Sequence, residues 1–157
     1  MARRRCGEEE WVVGAWRKPL VLMTPKSLLR ARFSFSPLED FTDQKFRRVI
    51  SDDEVSPHKV KRVVFSSGKV FYDLHDERAK LELNDTALIR VEQLYPFPTA
   101  ELQADLARYS DATDFVWVQE EPANMGPWSF AAPRLRQLLG DRDLRYAGRE
   151  RSASPAT

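Results

Sequence analysis

One cysteine, two histidines and six glycines in 157 residues leave few ways to assemble a conventional catalytic or metal centre. Cys6 has no second thiol for a disulfide or a cysteine-based metal site, which fits a reducing compartment. His58 and His75 lack partners at metal-ligand spacing. No glycine-rich dinucleotide fingerprint, Ser-His-acid order or Asp-rich metal loop is present. No apolar run approaches the roughly 20 residues of a bilayer span. Residues 1–16 have no apolar centre of a secretory signal, and Glu8, Glu9 and Glu10 set them apart from an acid-poor transit peptide, so a cytoplasmic setting is expected. Charge of one sign is also missing. Lys and Arg number 25 against 24 Asp and Glu, a net charge of +1, so neither nucleic acid nor a membrane is expected as a partner and any anion binding has to be local.

With 42% hydrophobic residues, the chain can bury one core, not two. Residues 1–17 show no period and are expected to lie outside that core without order. Pro19-Leu20-Val21-Leu22-Met23 reads as a short strand buried on both faces, followed by Thr24-Pro25 as cap and first position of a helix over 26–30. Residues 33–57 read as a long connection with one or two helical turns, pinned by Phe33, Phe35, Phe41 and Phe46. Regular alternation follows. Strands are expected at 60–65, 86–91, 115–118 and 144–147. The intervening helices cover 69–83, with Val70, Phe71, Leu74 and Leu81 on one face, a stretch capped by Thr99 with Leu102, Leu106 and Tyr109 inward, and 127–139 with Leu135, Leu138 and Leu139 inward. Such alternation predicts an α/β fold with a mainly parallel sheet covered on both faces. Residues 149–157 are small and polar, and read as a flexible tail.

Two strand ends carry candidate chemistry. Ser66-Ser67-Gly68-Lys69 lies between a strand and a helix amino end, where backbone amides and the helix dipole favour an anion. It is no Walker A loop, since Val63 stands where the first glycine belongs and Val70 follows the lysine. The alternative is structural, with serines capping the helix and glycine making the turn. Gln119-Glu120-Glu121-Pro122-Ala123-Asn124-Met125-Gly126 leaves another strand at the carboxyl edge of the sheet. Glu120 and Glu121 are carboxylates for acid–base work, although neighbours on an extended segment point to opposite sides. Tyr95 and Phe97 sit in a proline-bounded loop that, beside Trp117, Trp128 and Phe130, forms either monomer core or a dimer interface.

Four long segments carry a resemblance: Lys18-Pro-Leu-Val-Leu-Met-Thr-Pro-Lys-Ser-Leu-Leu-Arg30, Val63-Val-Phe-Ser-Ser-Gly-Lys-Val-Phe-Tyr-Asp-Leu74, Ile89-Arg-Val-Glu-Gln-Leu-Tyr-Pro-Phe-Pro98 and Val116-Trp-Val-Gln-Glu-Glu-Pro-Ala-Asn-Met-Gly-Pro-Trp-Ser-Phe130. In this order they resemble the thiamine-dependent 2-oxoglutarate dehydrogenase first component, over 18–157. The resemblance implies that residues 18–148 form its carboxy-terminal, transketolase-like domain, a three-layer Rossmann-like fold that packs in a homodimer behind two thiamine-diphosphate domains. The family decarboxylates 2-oxoglutarate oxidatively in the tricarboxylic acid cycle and passes the succinyl group to lipoyl-lysine of dihydrolipoyl succinyltransferase. The Gly-Asp-Gly and Asn-Asn elements that bind magnesium diphosphate are absent from this sequence, so no cofactor, no metal and no independent catalysis are expected of it.

Residues 1–17 do not resemble the family, and the chain stops inside a final Ser-Pro stretch. Both ends are therefore expected to be truncated, with bared apolar surface driving self-association. Acetyl-CoA activation of some actinobacterial relatives, or AMP, points to Lys26, Arg30, Lys69 and Arg90 beside Ser66, Ser67 and Gly68. The alternative reads these cations as partners of Asp73, Glu92 or Glu120. Tyr95, Phe97, Glu120, Glu121, Asn124 and Trp128 are the interface candidates. Three readings stand: a structural and regulatory domain inactive alone, a separate nucleotide- or phosphate-binding module, and an enzyme using Glu120 or Glu121.

Overall fold

The computed structural model describes residues 26–31, 34–42 and 45–154, with the side chains of all but Leu29, Arg30 and Phe41. The expected strand at 19–23, the Thr24-Pro25 cap, Phe33 and the 1–17 segment lie outside the described residues. The chain forms two compact units, 1–47 and 48–157. In the first, Lys26–Arg30 is a turn of 3-10 helix and Glu39–Thr42 a single α-helical turn with acidic residues at its positive end. Ser34 Oγ donates to Leu28 O at 2.9 Å and Ala31 O at 2.7 Å, taking up carbonyls that so short a helix leaves open.

The second unit holds a five-stranded sheet: β1 Val49–Ile50, β2 Arg62–Ser66, β3 Thr86–Val91, β4 Asp114–Pro122 and β5 Leu144–Arg149, in the order β1-β3-β2-β4-β5. β1 runs antiparallel to β3 and every other pairing is parallel. Three helices connect the parallel strands: α1 Val70–Lys80, α2 Thr99–Arg108 and α3 Trp128–Leu139. Register places Val63, Phe65, Ala87, Ile89, Phe115, Trp117 and Leu144 on one face. That face is sealed by Leu102 and Leu106 of α2, Tyr109 just beyond it, and Ala131, Leu135 and Leu139 of α3. Each large apolar side chain buried there contributes about 1.5–3 kcal/mol, which makes this layer the main source of stability. On the other face α1 lies over β3, where Arg90 stacks on Phe71 and Arg78 reaches Thr86 O. Helices on both faces make this a Rossmann-like three-layer α/β unit.

Details depart from the periodic reading. α1 buries Tyr72 and Arg78, and Leu81, expected inward, is 58% exposed. The helix ends at Lys80, with Leu81 as its cap and Glu82 at φ 52, so Leu81 falls beyond the sheet. Thr99 is the first helical residue and not its cap; Pro98 precedes it without a side-chain cap bond, and the Thr99 amide donates to Phe97 O at 2.9 Å. β1 went unseen because two residues are too few to show a period. Where the β1–β3 ladder stops, the buried Asp52 carboxylate takes over: it accepts the Leu88 amide at 2.8 Å and a bond from Arg78. The Asp52 carbonyl accepts Tyr109 Oη at 3.2 Å and Arg108 at 3.3 Å. A polar segment thus lies along the sheet edge, and the Asp52 carboxylate meets the Leu88 amide that the ladder leaves open.

Candidate functional site

β2 leads through α1 to β3 on one side, while β4 leads through α3 to β5 on the other, so the crevice between the carboxyl ends of β2 and β4 is a topological switch point. Ser66 closes β2. Its hydroxyl is fully buried and without a hydrogen-bond partner. Gly68 supplies φ 77 for the turn, and since a Cβ there would meet nothing within 4 Å, the requirement is conformational and not steric. Lys69 opens α1. Its Nζ lies 2.8 Å from Glu120 Oε1 at the end of β4 and 3.4 Å from Asp73 Oδ2 one turn along the helix. The Glu120 hydrogen bond, ahead of the other influences, raises the lysine pKa above its ordinary value.

Arg90 stands opposite Ser66 in the register. Its guanidinium donates to Glu92 Oε1 at 3.0 and 2.8 Å and lies 4.5 Å from the Phe71 ring centre. The structure therefore gathers Ser66, Ser67, Gly68, Lys69 and Arg90 at one end of the sheet. It pairs both cations with carboxylates named as the alternative: Asp73 and Glu120 for Lys69, Glu92 for Arg90. Lys26 is exposed in the other unit, and the Arg30 side chain lies outside the described residues.

The loop after β4 is built on Gln119, a residue the motif contained but whose role no local pattern announced. Its buried Oε1 accepts Trp117 Nε1 at 3.0 Å and the Trp128 amide at 2.9 Å, and its Nε2 donates to the carbonyls of Glu121, Pro122 and Met125. Gly126, at φ 64, lets the loop fold back, since a Cβ would lie 3.0 Å from the Glu121 side chain. Tyr146 Oη donates to Glu121 O and reaches Arg149 O, both at 3.0 Å. Asn124 pairs with Ser152 in both directions, donating to its carbonyl at 2.9 Å and accepting its amide at 3.0 Å.

The aromatics do not form one exposed patch. Trp117 is core, Phe97 is half-buried edge-on to Phe130, Trp128 packs on Tyr146 with ring centres 5.0 Å apart, and Tyr95 alone is 82% exposed. Glu120 is held by Lys69, and no second carboxylate joins it as an acid–base pair in the contacts described. Among the described residues no group of three or more His, Cys, Asp or Glu could hold a metal, and no helix is long and apolar enough to cross a membrane.

Sheet order, crossover helices and the loop-lined crevice define a Rossmann-like three-layer α/β domain. The sequence matches the family described as 2-oxoglutarate dehydrogenase C-terminal over residues 35–157, and the chain belongs to that family. It is 50% identical over 147 residues to the 2-oxoglutarate dehydrogenase E1 component of Cupriavidus necator, covering 92% of this chain. To the E1 component of Brucella anthropi it is 46% identical over 158 residues, covering 90%. In both cases the chain spans 16% of the relative's length.

Proposed function

We propose that the chain serves as the carboxy-terminal structural domain of a 2-oxoglutarate dehydrogenase first component in the cytoplasm, packing against the remaining domains and a second copy, and is inactive alone. Decarboxylation of 2-oxoglutarate and succinyl transfer to lipoyl-lysine of dihydrolipoyl succinyltransferase belong, in this reading, to the assembled enzyme. Thiamine diphosphate and magnesium are held by its other domains. The observation that carries the reading is the pairing of charge at the switch point: Lys69 with Glu120, Arg90 with Glu92. Neutralised pairs hold structure, whereas general acid–base work needs a group free to exchange a proton at the working pH. The test is a lipoyl-acceptor assay with 2-oxoglutarate, thiamine diphosphate and magnesium. No turnover is expected from the chain alone, and turnover would sink the proposal. Sedimentation at micromolar concentration checks the assembly role, with self-association expected and a monodisperse monomer counting against it.

A second reading, a regulatory anion site for a nucleotide such as acetyl-CoA or AMP, is favoured by one feature. The Ser66 hydroxyl at the end of β2, three residues before Lys69 in the chain, is buried without a partner, and an unmet buried donor costs about 1–3 kcal/mol. Calorimetric titration with each nucleotide tests it, and absence of heat for both would remove it.

A further inference from the structure

The segment 51–54, Ser-Asp-Asp-Glu, runs along the edge of β3 and sends alternate side chains to the helix layers on opposite faces of the sheet. Toward α2, Ser51 Oγ donates to Asp105 Oδ1 at 2.6 Å, and Asp53 Oδ1 accepts Arg108 at 3.1 Å. Toward α1, Asp52 and Glu54 both accept Arg78. The Asp52 carboxylate also accepts the Leu88 amide of β3, where a neighbouring strand would place a carbonyl. The segment is therefore a strap over an open sheet edge. Its outermost hold on α1 is His75, whose Nε2 lies 3.1 Å from both carboxylate oxygens of Glu54. On the same helix, His75 Nδ1 faces Asp76 at 3.8 Å, the ring lies tilted against Phe71, and Arg78 shares the Glu54 carboxylate with it.

We propose that His75 is a proton-operated latch on this strap: charged, it draws the strap onto α1, and neutral, it loosens it. The imidazolium donates from both nitrogens and stands between two carboxylates, whereas the neutral ring has one N–H and no charge to offer. Glu54 keeps its charge through this change, since the bond from His75, first among several influences, holds its carboxyl below the ordinary 4.5. The tightening is present while His75 is charged and is lost as pH rises and the ring gives up its proton. Asp52 and Arg78 are buried and stay paired in both states, so the neutral form loosens the edge without unfolding it. A loosened strap frees the Leu88 amide, and an open edge amide is what a strand of another chain binds.

The experiment follows hydrogen exchange at the Leu88 and Glu54 amides of the full chain at about pH 5 and about pH 8, the span over which imidazole changes charge, as protection factors corrected for the intrinsic effect of pH. Protection is expected to be about two- to fivefold higher at the lower pH, the scale of a partly exposed ion pair. The chain has two histidines, so each can be replaced in turn. His58→Gln is expected to keep the dependence and His75→Gln to remove it. His75→Lys, charged at both pH values, is expected to hold the higher protection throughout. The His75 side chain is 36% exposed, so its variants keep the fold, which melting by circular dichroism checks. Equal protection in the parent at the two pH values, a dependence that survives either His75 variant, or one that disappears in His58→Gln overturns the latch.

Discussion

Arg78 and Asp52 form a buried ion pair, their side chains 8% and 4% exposed, that joins α1 to the segment along the edge of β3. Glu54 also bonds Arg78, and His75 Nε2 lies 3.1 Å from Glu54, so the pair anchors a larger charge network. Removing one member of a buried pair leaves the other uncompensated, at about 3–5 kcal/mol. Asp52→Ala is expected to lose about 3 kcal/mol in urea unfolding, because it also strips the acceptor from the Leu88 amide. A loss below about 1 kcal/mol would show that Glu54 alone suffices for Arg78.

Gln119→Leu keeps the volume and removes the amide. The Trp117 indole and Trp128 amide then lose their acceptor, and three carbonyls lose a donor. A loss of about 3 kcal/mol is expected. The 119–128 loop should also lose hydrogen-exchange protection; unchanged protection there would contradict the bonding scheme.

Gly148 and Gly140 separate two reasons for glycine. A Cβ at Gly148 would lie 2.5 Å from Tyr146 Oη and 2.8 Å from the Gln119 carbonyl, whereas at Gly140, with φ 63, it would meet nothing. Gly140→Ala is expected to cost about 1–3 kcal/mol through the backbone alone, because φ 63 with ψ −123 is a conformation that suits glycine. Gly148→Ala is expected to cost about 1–3 kcal/mol through crowding instead, because the Gln119 carbonyl has to move. Thermal unfolding measures both, and a Gly148→Ala chain as stable as the parent would refute the close approach.

Asp114 ties three strands together at the amino edge of the sheet, accepting Arg145 at 2.6 and 2.9 Å and Arg62 at 2.6 Å. Chiefly through the Arg145 hydrogen bond, its carboxyl is held below the ordinary 3.8. A depressed folded-state pKa gives stability that is present above the unfolded value and lost as pH falls through the folded one. Asp114→Asn should therefore flatten the stability–pH curve below about pH 4 and leave its alkaline side unchanged. Urea midpoints across the acid range measure this, and a parallel curve for the variant would contradict it.

Tyr109 behaves in the opposite direction. Burial, ahead of its charged neighbours, pushes its hydroxyl up to about 12. Its neutral form is the one the fold favours, so its contribution is full below the unfolded value near 10 and disappears as pH rises through the folded value. Tyrosinate absorbance should show a late step that Tyr109→Phe removes; loss of no late step would refute the assignment. Without the bond to Asp52 O, the variant should also lose about 1 kcal/mol at neutral pH.

Short apolar runs separated by amphipathic stretches announced β2 to β5 and the three helices, because burial on a sheet or helix face imposes a period that the order of residues displays. Leu102, Leu106 and Tyr109 recurred at helical spacing and are buried together. Ser66 to Lys69 stood out because a strand, a turn and a helix start follow one another there. These are local signals. What needed the folded chain was the pairing of distant residues: Asp52 with Arg78, Lys69 with Glu120, Asp114 with Arg62 and Arg145. Strand order decided them, by setting β2 beside β4 and β1 beside β3. Charge and amide partners of this kind leave no period, since each is chosen by a neighbour that only the sheet brings near. The family and the layered α/β architecture were therefore legible along the chain, while whether its cations stand free or already hold a carboxylate was decided in three dimensions.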